Sequence, residues 1–180
     1  MQKKIVLTGG PGTGKSSILD ELKARGFSCM PEISREVTQK AQKKGIQQLF
    51  LSDPLLFSNL LFEGREHQFK QAQQNNAHWV FFDRGIPDVY AYLDYSKASY
   101  PRIFKEKSRN YRYDVIFLFK PWSVIYISDN ERYENFEESK AIDRCLQHAY
   151  QEQGYSVIEV PFGTVKERCN FMINWLKTYT

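Results

Sequence analysis

The stretch Lys4-Ile5-Val6-Leu7-Thr8-Gly9-Gly10-Pro11-Gly12-Thr13-Gly14-Lys15-Ser16-Ser17 constrains this chain more than any other. It is an apolar run of strand length leading into the full pattern G-x-x-x-x-G-K-S, and a helical pattern opens at Ser16. Gly9, Gly10, Gly12 and Gly14 allow backbone dihedrals that a side chain would forbid, so successive amide N–H groups can turn inward around a phosphate. Lys15 then supplies a point charge to the β- and γ-phosphates and Ser16 a hydroxyl to Mg²⁺, while the dipole of the following helix attracts the anion. A glycine-rich hairpin with a chance lysine would lack the strand before it and the helix Ser17-Ile18-Leu19-Asp20-Glu21-Leu22-Lys23 after it. The segment predicts nucleoside-triphosphate binding by Gly10, Pro11, Gly12, Thr13, Gly14, Lys15, Ser16 and Ser17, with ATP and Mg²⁺ as the expected cofactors.

A chain of 180 residues with 42% hydrophobic content can bury one core, and the length predicts a single domain over residues 1–180. Cys29, Cys145 and Cys169 are far apart and form no C-x-x-C pair, which suggests neither a zinc site nor a disulfide framework and fits reduced thiols in a cytosol. The apolar stretch before the glycines is too short for a signal peptide, and no apolar run approaches membrane-spanning length. The expectation is a cytoplasmic protein. A net charge of +4 suits small anionic ligands and does not by itself predict nucleic acid as a partner. The sequence leaves a homodimer open.

Apolar runs that read as buried parallel strands recur at Lys4–Thr8, Phe27–Met30, Trp79–Phe82, Val115–Phe119 and Ser156–Val160, separated by helical patterns or long polar stretches. Alternation of this kind predicts an α/β fold, a five-stranded parallel sheet with helices on both faces. Leu55, Leu56, Leu60, Leu61 and the aromatics Phe57, Phe62 and Phe69 recur at spacings near three and four, so Asp53–Asn76 reads as helix throughout. Ligands of open parallel sheets collect beyond the carboxyl ends of the strands. That rule selects the phosphate loop, Pro31-Glu32, Asp83-Arg84-Gly85 and Pro161-Phe162-Gly163.

Asp83 closes an apolar strand where a phosphate-loop protein keeps the acid that helps hold Mg²⁺, so Ser16 and Asp83 are the candidate metal ligands. Arg84 can offer a bidentate fork to a phosphate or carboxylate, or it can pair with Asp88 one turn on. Glu32 can take the proton of an attacking hydroxyl, or it can be an acid favoured by a helix N-terminus near Ser34. Between Lys97 and Arg112 six basic residues face one acid, with Tyr95, Tyr100, Phe104, Tyr111 and Tyr113 interleaved. A solvated helix with aromatic core contacts is the favoured reading of that segment; grip on an acidic acceptor, a lipid headgroup or RNA is the other.

The phosphate loop, the segment Pro31-Glu32-Ile33-Ser34-Arg35-Glu36-Val37, the run from Phe82 to Tyr92 and the strand Val115–Phe119 together resemble the small AAA-type P-loop ATPases. These are related to the ribosylnicotinamide kinase domain of NadR and to the Ttd14 proteins, and the resemblance covers nearly the whole chain. The group is similar to the nucleoside and nucleotide kinases, so it implies a nucleoside-kinase-like fold with a small lid; 180 residues leave no room for the helical lid domain of ring-forming AAA+ machines. By resemblance, Asp83 and Arg84 match the acid–arginine pair near Mg²⁺ and the acceptor, and Glu32 matches the carboxylate that meets the acceptor hydroxyl. Asp83-Arg84-Gly85 departs from the Glu-Arg-Ser of deoxynucleoside kinases, which weakens the case for deoxynucleoside specificity.

The lid is expected after the fourth strand, in the polar stretch before the helix Glu137–Gln153, with Arg132, Lys140 and Arg144 as cations able to close over the γ-phosphoryl group. A charged loop with Glu137 and Asp143 for partners is the plainer reading. Phe162 is, by resemblance, a candidate adenine edge. The expected activity is phosphoryl transfer from Mg·ATP to a small, nucleoside- or nucleotide-like acceptor, with Lys15, Glu32, Asp83, Arg84, Arg132 and Arg144 as catalytic candidates. A nucleotide-binding switch with slow hydrolysis and a protein or membrane partner is the second expectation, and a kinase for a non-nucleoside metabolite the third. The chain contains no Asn-Lys-x-Asp motif to read guanine.

Overall fold

The computed structural model describes residues 1–43, 45–46, 49–126 and 135–179. Among these, five strands form one all-parallel sheet: β1 (Lys3–Thr8), β2 (Ser28–Met30), β3 (Trp79–Asp83), β4 (Val115–Leu118) and β5 (Val157–Glu159), in the order β2-β3-β1-β4-β5. Between and after them run α1 (Lys15–Ala24), α2 (Ile33–Lys43), α3 (Leu49–Ser52), α4 (Pro54–Gln73), α5 (Pro87–Tyr95), α6 (Ile103–Ser108), α7 (Phe136–Glu152) and α8 (Val165–Thr178). All five expected strands are present within two residues at each end.

Side-chain alternation along the central strands divides the core in two. Ile5, Leu7, Phe81, Val115 and Phe117 face Ile18 and Leu22 of α1 and Met172 and Leu176 of α8. Val6, Val80, Phe82 and Ile116 face the other way, onto Phe62 and Phe69 of α4, Val89 and Tyr90 of α5 and Leu146 and Tyr150 of α7. Apolar runs without polar alternation therefore reflect a sheet covered on both faces.

Helix starts follow local chemistry. Asp53 caps α4 by accepting from Leu56 N at 2.9 Å, with Pro54 as the first helical residue, so the helix opens where the pattern predicts and ends three residues early. Asn135 with Glu138, and Thr164 with Glu167, make capping boxes at α7 and α8. α1 has no side-chain cap, and Gly14 at its N-cap has φ 83°.

The segment 97–112 resolves into α6 and its flanks. Phe104 and Tyr113 are buried, Lys105 pairs with Glu152 at 2.8 Å, and the Arg112 guanidinium donates to Gln153 O while lying 3.9 Å from the Tyr155 ring centre. Aromatic core contact and internal pairing thus account for much of its composition. Cys29, Cys145 and Cys169 are free thiols. Among the described residues no helix is long and apolar enough to cross a membrane.

Register sets the site. Leu7 pairs with Asp83, Thr8 with Leu118 and Met30 with Phe82, so Pro31, Arg84, Gly9 and Phe119 leave the same end of the sheet within two residues of one another. Chain connections leave β1 toward β2 and later cross to β4 on its other side, the kind of switch point at which open sheets leave a crevice. Phe117, fully buried on β4, sits at the middle of the α1/α8 core. Its replacement by Ala should cost about 3–5 kcal/mol of stability in urea unfolding.

Candidate functional site

The loop between β1 and α1 is pinned from several sides. A Cβ on Gly9, which has φ 145°, would lie 2.4 Å from Phe119 O, so the chain can pass β4 only as glycine there. On Gly14 it would stand 2.8 Å from Arg168 Nη1. Ser139 Oγ of α7 donates to Pro11 O at 3.1 Å, and Arg168 Nη2 of α8 donates to Thr13 O at 3.0 Å, with its guanidinium 4.7 Å from the Phe119 ring centre. With α1 uncapped, the amides of its first turn remain available to an anion.

Lys15 and Thr13 are buried within the loop, whereas Ser16 and Ser17 are exposed. Lys15 Nζ donates to Gly9 O (2.8 Å), Gly10 O (2.7 Å) and Thr13 Oγ1 (3.0 Å), so the ammonium is held by the loop's own oxygens. A cleft of about 250 Å³ opens above it, lined by Pro11 to Ser17, Glu32, Arg35, Asp83 and Arg84. Three chain segments remote in sequence thereby meet in one place.

Arg84 is the strained member, with φ 68° in a non-glycine residue. Its amide donates to Leu7 O, and its Nη1 donates to Gly9 O at 3.0 Å and faces Asp88 Oδ1 at 3.3 Å. Its Nε stands 4.0 Å from Glu32 Oε1. Arg84 thus pairs with Asp88 and also lines the cleft. Glu32 lies just before α2, and Ser34 Oγ donates to it at 2.5 Å.

Burial and mutual charge divide the acids. Burial would raise the Glu32 carboxyl, but Arg84, the Ser34 hydroxyl and Lys15 together hold it below its ordinary value. Burial pushes Asp83 up, Glu32 adds to the rise, and Arg84 only partly opposes it. Burial, with Arg84 adding to it, brings the Lys15 ammonium down to about 7. Among the described residues no cluster of three His, Cys, Asp or Glu side chains could cage a metal ion. A serine hydroxyl and a single carboxylate suit a hard cation that brings the rest of its oxygen ligands on a phosphate chain, as Mg²⁺ does.

Other candidates lie elsewhere. Arg144 is exposed on α7 and does not line the cleft; Lys140 pairs with Glu137 at 2.7 Å and Asp143 with Lys120 at 2.5 Å. Phe162 is 54% exposed and stacks on Trp122 at 5.1 Å, outside the cleft lining. Arg132 lies outside the described residues. A second cavity of about 510 Å³, largely apolar, runs between α2, α3 and α4 past Ile33, Val37, Leu49, Leu56 and Leu60.

Of three buried charges around the loop, sequence reasoning passed over Arg65 and Arg168 and named Asp88 only as a possible partner of Arg84. Arg65 and Arg168 share the buried stripes of their helices, Arg65 four residues from Leu61 and Phe69, Arg168 four from Met172. Asp88 is a lone acid at the start of an otherwise apolar turn. A charge placed on an apolar stripe was the signal available for each.

Between about pH 7 and the ordinary lysine value of 10.5, the unfolded chain holds the Lys15 proton and the folded chain does not. Stability should therefore rise with pH across that interval, because the unfolded state binds more protons. Lys15→Met should lose this slope, read as urea-unfolding free energies of wild type and variant at several pH values. A constant difference between the two would mean that Lys15 keeps its ordinary proton affinity.

Comparison with known proteins adds the family. The model of the AAA domain matches residues 4–168. In structure the chain is similar to deoxyadenosine kinase from M. mycoides with dCMP and dCDP bound, at 18% identity over 97% of this chain and 99% of that one, with a TM-score of 0.70. It is similar to the NadR protein in complex with NAD and AMP-PNP, at 16% identity over 99% of this chain and 49% of that one, with a TM-score of 0.70. Thymidylate kinase from Candida albicans matches at 15% identity over 99% of this chain and 92% of that one, with a TM-score of 0.67. No curated protein matches the chain in sequence. Identities this low carry the fold alone, a P-loop kinase fold, while the family model spans most of the sequence: the chain belongs to the AAA domain family.

Proposed function

We propose that this protein is a P-loop phosphotransferase that passes the γ-phosphoryl group of Mg·ATP to a small, nucleoside- or nucleotide-like acceptor. The observation that carries this reading is the cleft itself, where the amide cradle, Lys15 and Ser16 stand opposite Glu32, Arg35, Asp83 and Arg84. A loop that only held a triphosphate would need the first set; the second gives an acceptor something to bind. The fold's likeness to kinases for nucleosides and nucleotides supports the same choice.

In this reading the loop amides and Lys15, released from the Gly9 and Gly10 carbonyls, hold the β- and γ-phosphates. Ser16 and Asp83 would hold Mg²⁺, which supplies charge to the phosphate oxygens. The acceptor oxygen bonds to the γ-phosphorus as the bond from that phosphorus to the β–γ bridging oxygen breaks, and ADP leaves with the bond electrons. Glu32 takes the acceptor proton, since Arg84 and Ser34 keep its carboxylate ionised; Asp83, the more deeply buried acid, serves the cation. Arg84 lies where it can spread the charge of the transferring group. Arg132 would close the site, and Phe162 with Trp122 offers an aromatic face for the donor base. Arg144, exposed and away from the cleft, is given no part in the reaction. The acceptor body lies against α4, and the apolar cavity that begins at Ile33, next to Glu32, has room for a base.

The test is Mg²⁺-dependent ATP consumption with and without nucleosides, nucleoside monophosphates and ribosylnicotinamide. Stimulation by one acceptor with formation of its phosphorylated product is the expected result. Tight binding with no stimulation by any acceptor would replace the transferase reading with that of a nucleotide-binding switch. Lys15→Ala should abolish tight triphosphate binding, whereas Glu32→Gln should keep ATP affinity and lower transfer by about a hundredfold, in the range of general-base catalysis. Equal turnover in the Glu32 variant would remove Glu32 from the base role.

A further inference from the structure

Beneath the cleft lies a polar cluster that the proposed reaction does not use. Asp88, in the first turn of α5, is fully buried. Its Oδ1 accepts from Thr8 Oγ1 at 2.7 Å and faces Arg84 Nη1 at 3.3 Å; its Oδ2 accepts from Gly85 N at 3.0 Å and from Tyr150 Oη at 2.5 Å. Thr8 is the last residue of β1 before the phosphate loop, Gly85 is the turn after Arg84, and Tyr150 belongs to α7. One carboxylate thus joins the stem of the loop, the β3–α5 turn and the helix that follows the expected lid.

We propose that Asp88 is a positioning residue for Arg84, fixing the guanidinium in the phosphate cleft by holding both its Nη1 and the left-handed turn from which it projects. This rests on the phosphotransferase reading and deepens it. A helix-start acid that merely capped α5 would need only the Gly85 amide. Asp88 instead spends its other oxygen on the residue before the loop and on Arg84. The same Nη1 donates to Gly9 O, so Asp88 and the loop hold the guanidinium from two sides while its Nε faces Glu32. The turn has no slack to do this unaided: a Cβ on Gly85 would lie 2.5 Å from Tyr150 Oη and 3.2 Å from Val6 Cγ2, and Arg65 Nη1 grips Gly85 O at 2.6 Å. Arg84 therefore sits at a positive φ in a turn locked by the groups that Asp88 gathers, the situation in which a strained conformation persists at a site.

The experiment is a double-mutant cycle on the full chain with two readouts, the rate of γ-phosphoryl loss from bound Mg·ATP and the melting temperature. Asp88→Asn should slow the reaction about tenfold, the scale of a modest misplacement of a charge-bearing group. In an Arg84→Gln background the same change should leave the rate within about twofold, because its effect passes through the missing guanidinium. The melting temperature should fall on Asp88→Asn in both backgrounds. Tyr150→Phe, which removes one donor to Asp88 without opening space, should give a smaller rate loss that also vanishes when Arg84 is absent, and it carries the test if Asp88→Asn does not fold. Rate losses that multiply in the double variant, or a fall in melting temperature with no change in rate, would overturn the assignment while leaving the transferase reading standing. A wild-type protein that neither binds nor turns over ATP would overturn both.

Discussion

The rest of the structure depends on how one short glycine-rich loop, followed by a helix with no side-chain cap, is held in place. With no side chain capping α1, the rigidity of the loop comes largely from groups outside it. It comes from carbonyls: Gly9 O is held by Lys15 and Arg84, Gly10 O by Lys15 and Thr13, Pro11 O by Ser139, and Thr13 O by Arg168. Donors from α1, the turn before α5, α7 and α8 all converge on backbone oxygens. Carbonyl-side fastening thus fixes the six-residue stretch between β1 and α1.

The cost of that arrangement is a concentration of buried charge. Lys15, Arg65, Asp83, Asp88 and Arg168 are all less than a tenth exposed around one end of the sheet. Such groups are tolerable only when paired or when hydrogen bonds replace water. Asp88 provides most of the compensation on the α5 side, facing Arg65 and Arg84, which hold its carboxyl below the ordinary range against the opposing pull of burial. Arg65 and Arg168 each retain a buried Nε without a partner among the described residues, so the cluster is not fully neutralised from within.

The β-strands were readable because a parallel sheet covered on both faces leaves a simple trace: five short, mostly apolar runs, four of them followed directly by glycine, proline or an acid and the run Val115–Phe119 by Lys120-Pro121. The phosphate loop was readable because its spacing is imposed by one ligand geometry. Asp83, Arg84 and Glu32 were nominated by a topological rule, that ligands gather beyond carboxyl ends of strands, and the register of β1, β2 and β3 brings them to one cleft. The same rule, with the resemblance, nominated Phe162 after β5, and Arg144 was nominated from its position after the fourth strand; neither lines the cleft.

The sequence by itself determined the strand count, the parallel α/β architecture and the phosphate cradle, because each is a local pattern answering to a local constraint: apolar spacing, backbone freedom or a helix start. Tertiary structure alone decided which charged side chains face the loop and in what protonation state. Arg65, Asp88, Tyr150 and Arg168 are separated from the loop by up to 155 positions along the chain, as Arg168 is from Thr13. Their roles depend on which helix packs on which face of the sheet, on the few tenths of an ångström that admit a guanidinium beneath Gly14, and on the depth at which a carboxylate loses its water. Those are properties of the packed three-dimensional arrangement, to which the one-dimensional spacing of residues carries only a faint clue, the odd charge on an apolar stripe.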